Sequence, residues 1–213
     1  TIGDRVFTYC TSLTSVTIPD SVTTIGEYAF IKCTKVKTFT NLVIPNTVIT
    51  LARSSFNGCT QMQSVRLGAS LTNNDTGFWF ADCTNLKEMY IPATLARFDG
   101  EAVRSISGNC VFYFTGNVTQ ATSFKSNTSN NKNPALKSAQ IKSYSEFIAL
   151  EELSGSYLVY DYPLCDAFYA GAHEMADPVS YTAFDAVGEK ISSCTVNGCC
   201  HSTKVDALPL FTC

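Results

Sequence analysis

A short motif, Phe-x-x-Cys, occurs four times, at Phe7 to Cys10, Phe30 to Cys33, Phe56 to Cys59 and Phe80 to Cys83. The copies are 23, 26 and 24 residues apart. Three and six residues after each Cys stand apolar side chains: Leu13 and Val16, Val36 and Phe39, Met62 and Val65, Leu86 and Met89. Two residues further on come Ile18-Pro19, Leu67-Gly68 and Ile91-Pro92, whereas the second copy reaches Ile44-Pro45 only after about three inserted residues. A fifth, degenerate copy has Phe98-Asp99-Gly100-Glu101-Ala102-Val103 where the second has Ile25 to Phe30, and puts Phe112 and Phe114 where Met89 and Ile91 stood. A unit this short makes one strand and one return loop and cannot bury its own apolar face, so the copies must stack into a solenoid.

Stacking aligns the columns. Val16, Val65 and Met89 form one inward column, Ile18, Leu67 and Ile91 another, and Ile25, Phe30, Phe56 and Phe80 face them from the opposite wall. Strand alternation sends the residues between them outward onto one sheet face. These are Ser15, Thr17, Ser64, Arg66, Glu88, Tyr90 and Tyr113, the candidate binding face. Among them Arg66, Tyr90 and Tyr113 are the expected anchors, because Arg and Tyr are enriched at binding hot spots.

The string Ser12-Leu13-Thr14-Ser15-Val16-Thr17-Ile18-Pro19-Asp20-Ser21-Val22-Thr23-Thr24-Ile25-Gly26-Glu27-Tyr28-Ala29-Phe30 resembles the BspA-type leucine-rich repeat. The resemblance covers residues 1–118, about five coils. It implies a right-handed coil with one short parallel β-strand per repeat, and a surface or secreted protein used in binding and adhesion. The insertion in the second copy and Asp75 at a usual Ile position in the fourth predict local departures.

Beyond 118 the composition changes. Residues 119–140 are rich in Ser, Thr, Asn and Lys and read as a polar linker or loop. Residues 141–213 are aromatic and cysteine-rich and read as a C-terminal cap. Within it Tyr144 to Leu153 has the composition of a short helix ended by Gly155, and Tyr157 to Tyr160 that of a strand closed by Pro163. Cys10, Cys33, Cys59 and Cys83 read as a ladder of free, buried thiols, with bridges between coils as the alternative. Cys110 falls outside that period and joins Cys165, Cys194, Cys199, Cys200 and Cys213 in a set of six, fit for three disulfides.

The chain has 10 Cys and three glycosylation sequons, at Asn74, Asn117 and Asn127. Together they predict an oxidising, extracellular or cell-surface setting. Charged residues are only 15% of the chain, whereas Ser and Thr number 46, so the solvent face is largely hydroxylic. With 15 basic and 18 acidic residues there is no positive surplus for a phosphate backbone, which argues against nucleic acid. No apolar stretch is long enough for a membrane span.

Catalytic and cofactor motifs do not emerge. Cys194, Cys199, Cys200, His201 and His173 could be imagined on zinc, but their spacing matches no common arrangement. His173-Glu174 lacks the second His of a zinc-protease helix, and Asp161, Asp166 and Asp185 are explained as solvated acids. A Cys-His nucleophile is open to any cysteine-rich chain with two His. The expectation is therefore a non-catalytic protein without cofactor or metal, binding a protein or glycan ligand. The alternative is a filament subunit. The chain starts inside a consensus coil, with Ile2, Val6 and Phe7 already in register, so a missing upstream segment or head-to-tail self-association would cover that end.

Overall fold

The computed structural model describes residues 1–71, 77–96, 101–127, 133–162, 183–184, 190–193 and 202–204. The chain divides into two units, Thr1–Tyr162 and Pro163–Cys213. In the first, the strands are Thr24–Ile25 (β1), Asn41–Val43 (β2), Thr50–Leu51 (β3), Ser64–Arg66 (β4), Glu88–Ile91 (β5), Val111–Phe114 (β6), Gln140–Ser143 (β7) and Tyr157–Tyr160 (β8). The α-helices are Val118–Ser126 (α1), Pro134–Ser138 (α2) and Tyr144–Ile148 (α3).

Six of these strands form one parallel sheet in the order β2-β4-β5-β6-β8-β7. Leu42, Val65, Met89, Phe112, Leu158 and Ile141 are successive partners across it, so a single inward column runs the width of the sheet. The facing wall carries a second, smaller parallel pair, β1 with β3, extended by a bridge from Ile2 to Ile25. Between the walls the Phe of each repeat stacks on the next. Ring centroids from Phe7 to Phe30, Phe30 to Phe56 and Phe56 to Phe80 lie 5.0, 5.2 and 5.7 Å apart, with planes within 13° of parallel.

The Cys of the motif is a hydrogen-bonding residue as well as a small apolar one. Cys33 Sγ donates to Phe7 O at 3.0 Å, Cys59 Sγ to Phe30 O at 3.1 Å and Cys83 Sγ to Phe56 O at 3.2 Å. Each Phe carbonyl thus takes the thiol of the next coil and, in its own coil, the backbone N–H of the Cys three residues on. A carbonyl has two lone pairs, and both are used inside a core where an unmet acceptor is costly. Burial pushes the Cys83 thiol up to about 12 and raises those of Cys33, Cys59 and Cys110. Thiolate chemistry is thereby suppressed along the column.

The second coil departs from the simple repeat. Its insertion winds Lys37–Phe39 into a 3-10 turn, and its strand begins only at Asn41. No strand forms at Ser15 to Ile18, contrary to the expectation of one per repeat. Instead Thr38 Oγ1 accepts from Val16 N at 3.0 Å and donates to Val16 O at 2.8 Å, a side chain standing in for a strand partner. Phe39, displaced from the sheet, fills the core edge-on to both Phe30 and Phe56 at 5.3 Å.

The sheet does not end at residue 118. β8 enters between β6 and β7, so residues 140–160 extend the solenoid sheet. The segment read as a polar linker holds α1 and α2. Asn117 caps α1 through a reciprocal pair with Gln120, and α1 buries only Ala121 and Phe124, which is why its sequence reads as solvated. Phe124 lies 5.3 Å from Phe114, and Ala135 and Leu136 of α2 join the same core. Backbone groups of the fifth coil are met by side chains. Buried Asn133 accepts from Val103 N through Oδ1 at 3.1 Å, and Ser156 Oγ accepts from Cys110 N at 3.2 Å and donates to Gly108 O at 2.9 Å.

Cys110 differs from expectation. It is a free thiol, fully buried in the solenoid core, because it immediately precedes β6 and its side chain faces inward. Labelling the unfolded, unreduced protein should therefore modify Cys10, Cys33, Cys59, Cys83 and Cys110, and in the folded protein only partly exposed Cys10 among these five. Peptide mapping after alkylation reads both results, and protection of the five after unfolding would contradict the free-thiol assignment.

The second unit contains strands Ala183–Phe184 (β9), Lys190–Ser193 (β10) and Ser202–Lys204 (β11) in an antiparallel sheet of order β11-β10-β9. Cys165, Cys194, Cys199, Cys200 and Cys213, with His173, His201, Asp166 and Asp185, lie outside the described residues. Among the described residues no helix is long and apolar enough to cross a membrane.

Candidate binding face

Two rows of side chains point outward from the main sheet. One runs Asn41, Ser64, Glu88, Val111, Tyr157, Gln140, and the other Val43, Arg66, Tyr90, Tyr113, Val159, Lys142. Asn41 and Val43 complete the face in the second coil. The insertion there shifts the strand past Phe39, so the repeat spacing does not mark these two residues.

The two rows meet different fates along the solenoid. Tyr90 and Tyr113, expected as exposed anchors, are 0% and 1% exposed. The chain's own later residues cover them. Tyr90 stacks on Tyr113 at 4.7 Å, Tyr162 lies 5.4 Å from Tyr90 and 4.8 Å from Tyr113, and Phe147 of α3 sits edge-on to Tyr113 at 6.0 Å. Tyr144 meets Tyr162, and Phe147 meets Tyr157, to close the cluster. The outward face of β5, β6 and β8 is therefore a second aromatic core. α3 is held over it by Ser143 and Glu146, each accepting from the other's backbone N–H.

What stays open is the half toward the first coil. Ser15 and Thr17 are exposed but lie outside any strand, and Asn41 and Val43 are exposed on β2. Ser64 is buried and donates to Asn41 Oδ1 at 2.9 Å. Arg66 is half-buried with its guanidinium 5.5 Å from the Tyr90 ring, a cation–π contact at the border of the aromatic cluster.

Glu88 is the electrostatic feature of this face. It is half-buried, Tyr90 Oη donates to its Oε2 at 3.4 Å, and its carboxyl is pushed up to about 7. Loss of solvation is the main cause, opposed by the Tyr90 hydroxyl and by Lys87. The folded state thus binds a proton more tightly than the unfolded chain, whose Glu ionises at about 4.3. Stability is full below that pH and declines as pH rises toward 7, because the unfolded state then binds fewer protons. Denaturation midpoints at pH 5 and pH 8 should differ more in the wild type than in Glu88→Gln, and equal differences would remove this role.

The remaining expected sites are on the surface or outside view. Asn117 is exposed at the start of α1, and its Oδ1 takes the capping bond from Gln120 N. Asn127 is half-buried at the end of α1, and Asn74 lies outside the described residues.

A parallel sheet built one strand per coil, with stacked Phe and a repeated strand-loop unit behind it, defines a leucine-rich-repeat solenoid. The model of the BspA type leucine rich repeat region matches residues 1–142 in six copies, and the chain belongs to that family. The match runs past residue 118, beyond the residues over which the sequence alone shows the resemblance. No curated protein and no solved structure matches the chain.

Proposed function

We propose that this is a non-catalytic binding and adhesion glycoprotein of the cell surface or the extracellular space. In this reading it holds a protein or glycan ligand on the open half of its sheet face. The observation that carries the reading is the division of that face. The aromatic half is filled by the chain's own α3 and Tyr162, whereas on the adjacent strands Asn41 and Val43 are exposed and Arg66 and Glu88 are half-buried at the border of the cluster. Family membership supports it, since BspA-type repeat proteins are typically surface and adhesion proteins. The mixture of an amide, an aliphatic, a cation and a poorly solvated carboxyl suits recognition and offers no nucleophile with a paired base.

The test is a combined Asn41→Ala, Arg66→Ala and Glu88→Gln variant, assayed for attachment to host or matrix surfaces beside the wild type. Adhesion should fall by about tenfold or more, as removal of a few central contacts does. Unchanged adhesion by a folded variant would reject this face. Glycosidase-sensitive mass at Asn74, Asn117 or Asn127 in native material is the companion expectation, and unmodified peptides at all three would reject the glycoprotein assignment.

A further inference from the structure

The return turns of the solenoid, away from the sheet face, carry a repeated backbone feature. In successive coils two residues four apart adopt positive φ: Arg5 and Tyr9, Tyr28 and Lys32, Ser54 and Gly58, Phe78 and Asp82. The backbone reason is visible. These N–H groups point along the solenoid axis, with Arg5 N donating to Glu27 O, Tyr9 N to Ile31 O, Tyr28 N to Arg53 O and Lys32 N to Asn57 O. Gly58 meets that need with no Cβ at φ 70°. A bulky side chain at such a position carries a conformational cost, on the order of 1 kcal/mol, that glycine avoids. Arg5, Tyr9, Tyr28 and Lys32 are therefore not required by the turn, and their side chains call for another account.

Those side chains interlock across the first two coils. The Arg5 guanidinium lies 5.1 Å from the Tyr28 ring centre, and Lys32 Nζ 5.4 Å from that of Tyr9. Between them is a groove of about 220 Å³ lined by Arg5, Thr8, Tyr9, Tyr28 and Ile31. Tyr9 is 57% exposed at its rim. In the third coil Arg53, next to the positive-φ Ser54, lies 5.5 Å from the Phe78 ring. Arg5, Lys32 and Arg53 form no ion pair among the described residues. Of the nearby acids, Asp4 accepts from Glu27 N through Oδ1, which leaves Glu27 as the second carboxylate of the patch. In the next coils the run ends, because Arg104 is paired with both Asp82 and Glu101.

We propose that the turn face of the first three coils binds an anionic polysaccharide, with one sugar in the Tyr9–Tyr28 groove and acidic groups on Arg5, Lys32 and Arg53. This goes beyond ligand binding on the sheet face and uses different residues. The rings supply flat apolar walls for a sugar, and the cations supply charge-assisted hydrogen bonds to carboxylate or sulfate. The rings of the groove favour a sugar chain over an acidic peptide, because a run of carboxylates answers the cations and leaves the Tyr9 and Tyr28 walls unfilled.

The full chain is tested on immobilised polygalacturonate, dextran sulfate, neutral dextran and poly-glutamate. Retention on either anionic polysaccharide, lost at high salt and absent on neutral dextran, is expected. Arg5→Ala, Lys32→Ala and Arg53→Ala combined should weaken it by about tenfold or more, since three charge-assisted contacts are removed. Tyr9→Ala keeps every charge and should still weaken it severalfold, whereas Lys137→Ala, at an exposed cation of α2 away from both faces, should bind as the wild type. The proposal is overturned by no retention on both anionic polysaccharides, by equal retention on poly-glutamate, or by folded turn-face variants that bind normally. Equal loss in Lys137→Ala would also overturn it, by showing that retention does not depend on the turn face.

Discussion

Replacing Phe56 with alanine should lower the stability of the Thr1–Tyr162 unit by about 3–5 kcal/mol, the range for deleting a fully buried ring. Phe56 is 0% exposed and touches three other rings. Phe30 and Phe80 stack on its two faces at 5.2 and 5.7 Å, and Phe39 meets it edge-on at 5.3 Å. The surroundings have little freedom to collapse into the space. Phe56 N donates to Trp79 O at 3.0 Å on one side, and Phe30 N to Ser55 O at 2.8 Å on the other, so the coils are held at their spacing by backbone bonds. The middle of a solenoid is also where nearest-neighbour coupling is greatest, because the third coil links both halves of the stack. Urea unfolding followed by circular dichroism should show a lower midpoint and a less cooperative transition. Phe7→Ala, at a partly exposed ring with one stacking neighbour, should cost clearly less. A Phe56→Ala midpoint within experimental error of the wild type would contradict the stack as the source of cohesion.

The repeat and its two walls were legible because period and chemistry coincide at each copy. Phe30, Phe56 and Phe80 recur with their Cys and occupy one column in the structure. The thiol-to-carbonyl bonds were not legible, since a small buried apolar residue and a buried donor leave the same trace in a sequence. The binding face was read in part. Alternation correctly turned Tyr90 and Tyr113 away from the first core, but alternation is local and does not report what covers a face from elsewhere in the chain. Here the cover comes from Phe147 and Tyr162, more than 30 residues beyond Tyr113. α1 was missed for a related reason. Nine residues that bury two side chains carry a polar composition, and only the Asn117–Gln120 capping pair marks the start of a helix.

A substitution at Gly68 should show how closely the coils approach one another. The Ile-Pro pair of the first, second and fourth coils, Ile18-Pro19, Ile44-Pro45 and Ile91-Pro92, is replaced there by Leu67-Gly68. The structure supplies the reason. A Cβ on residue 68 would stand 2.4 Å from Pro45 O, 2.9 Å from Pro45 C and 3.0 Å from Ile44 O, all backbone atoms of the preceding coil. No side-chain rotation relieves such contacts, so the second and third coils must move apart. That separation strains the bonds that set their register, Ile44 N to Arg66 O at 2.8 Å and Ala69 N to Asn46 Oδ1 at 2.8 Å. Gly68→Ala should therefore destabilise the unit by about 2–3 kcal/mol, toward the upper end of the usual overpacking range. Gly108→Ala is the control, because a Cβ there meets nothing within 4 Å. It should leave the unfolding midpoint close to that of the wild type, apart from the small conformational effect of losing a glycine. Equal effects of the two substitutions, large or small, would show that contact between the coils at Gly68 does not set their spacing.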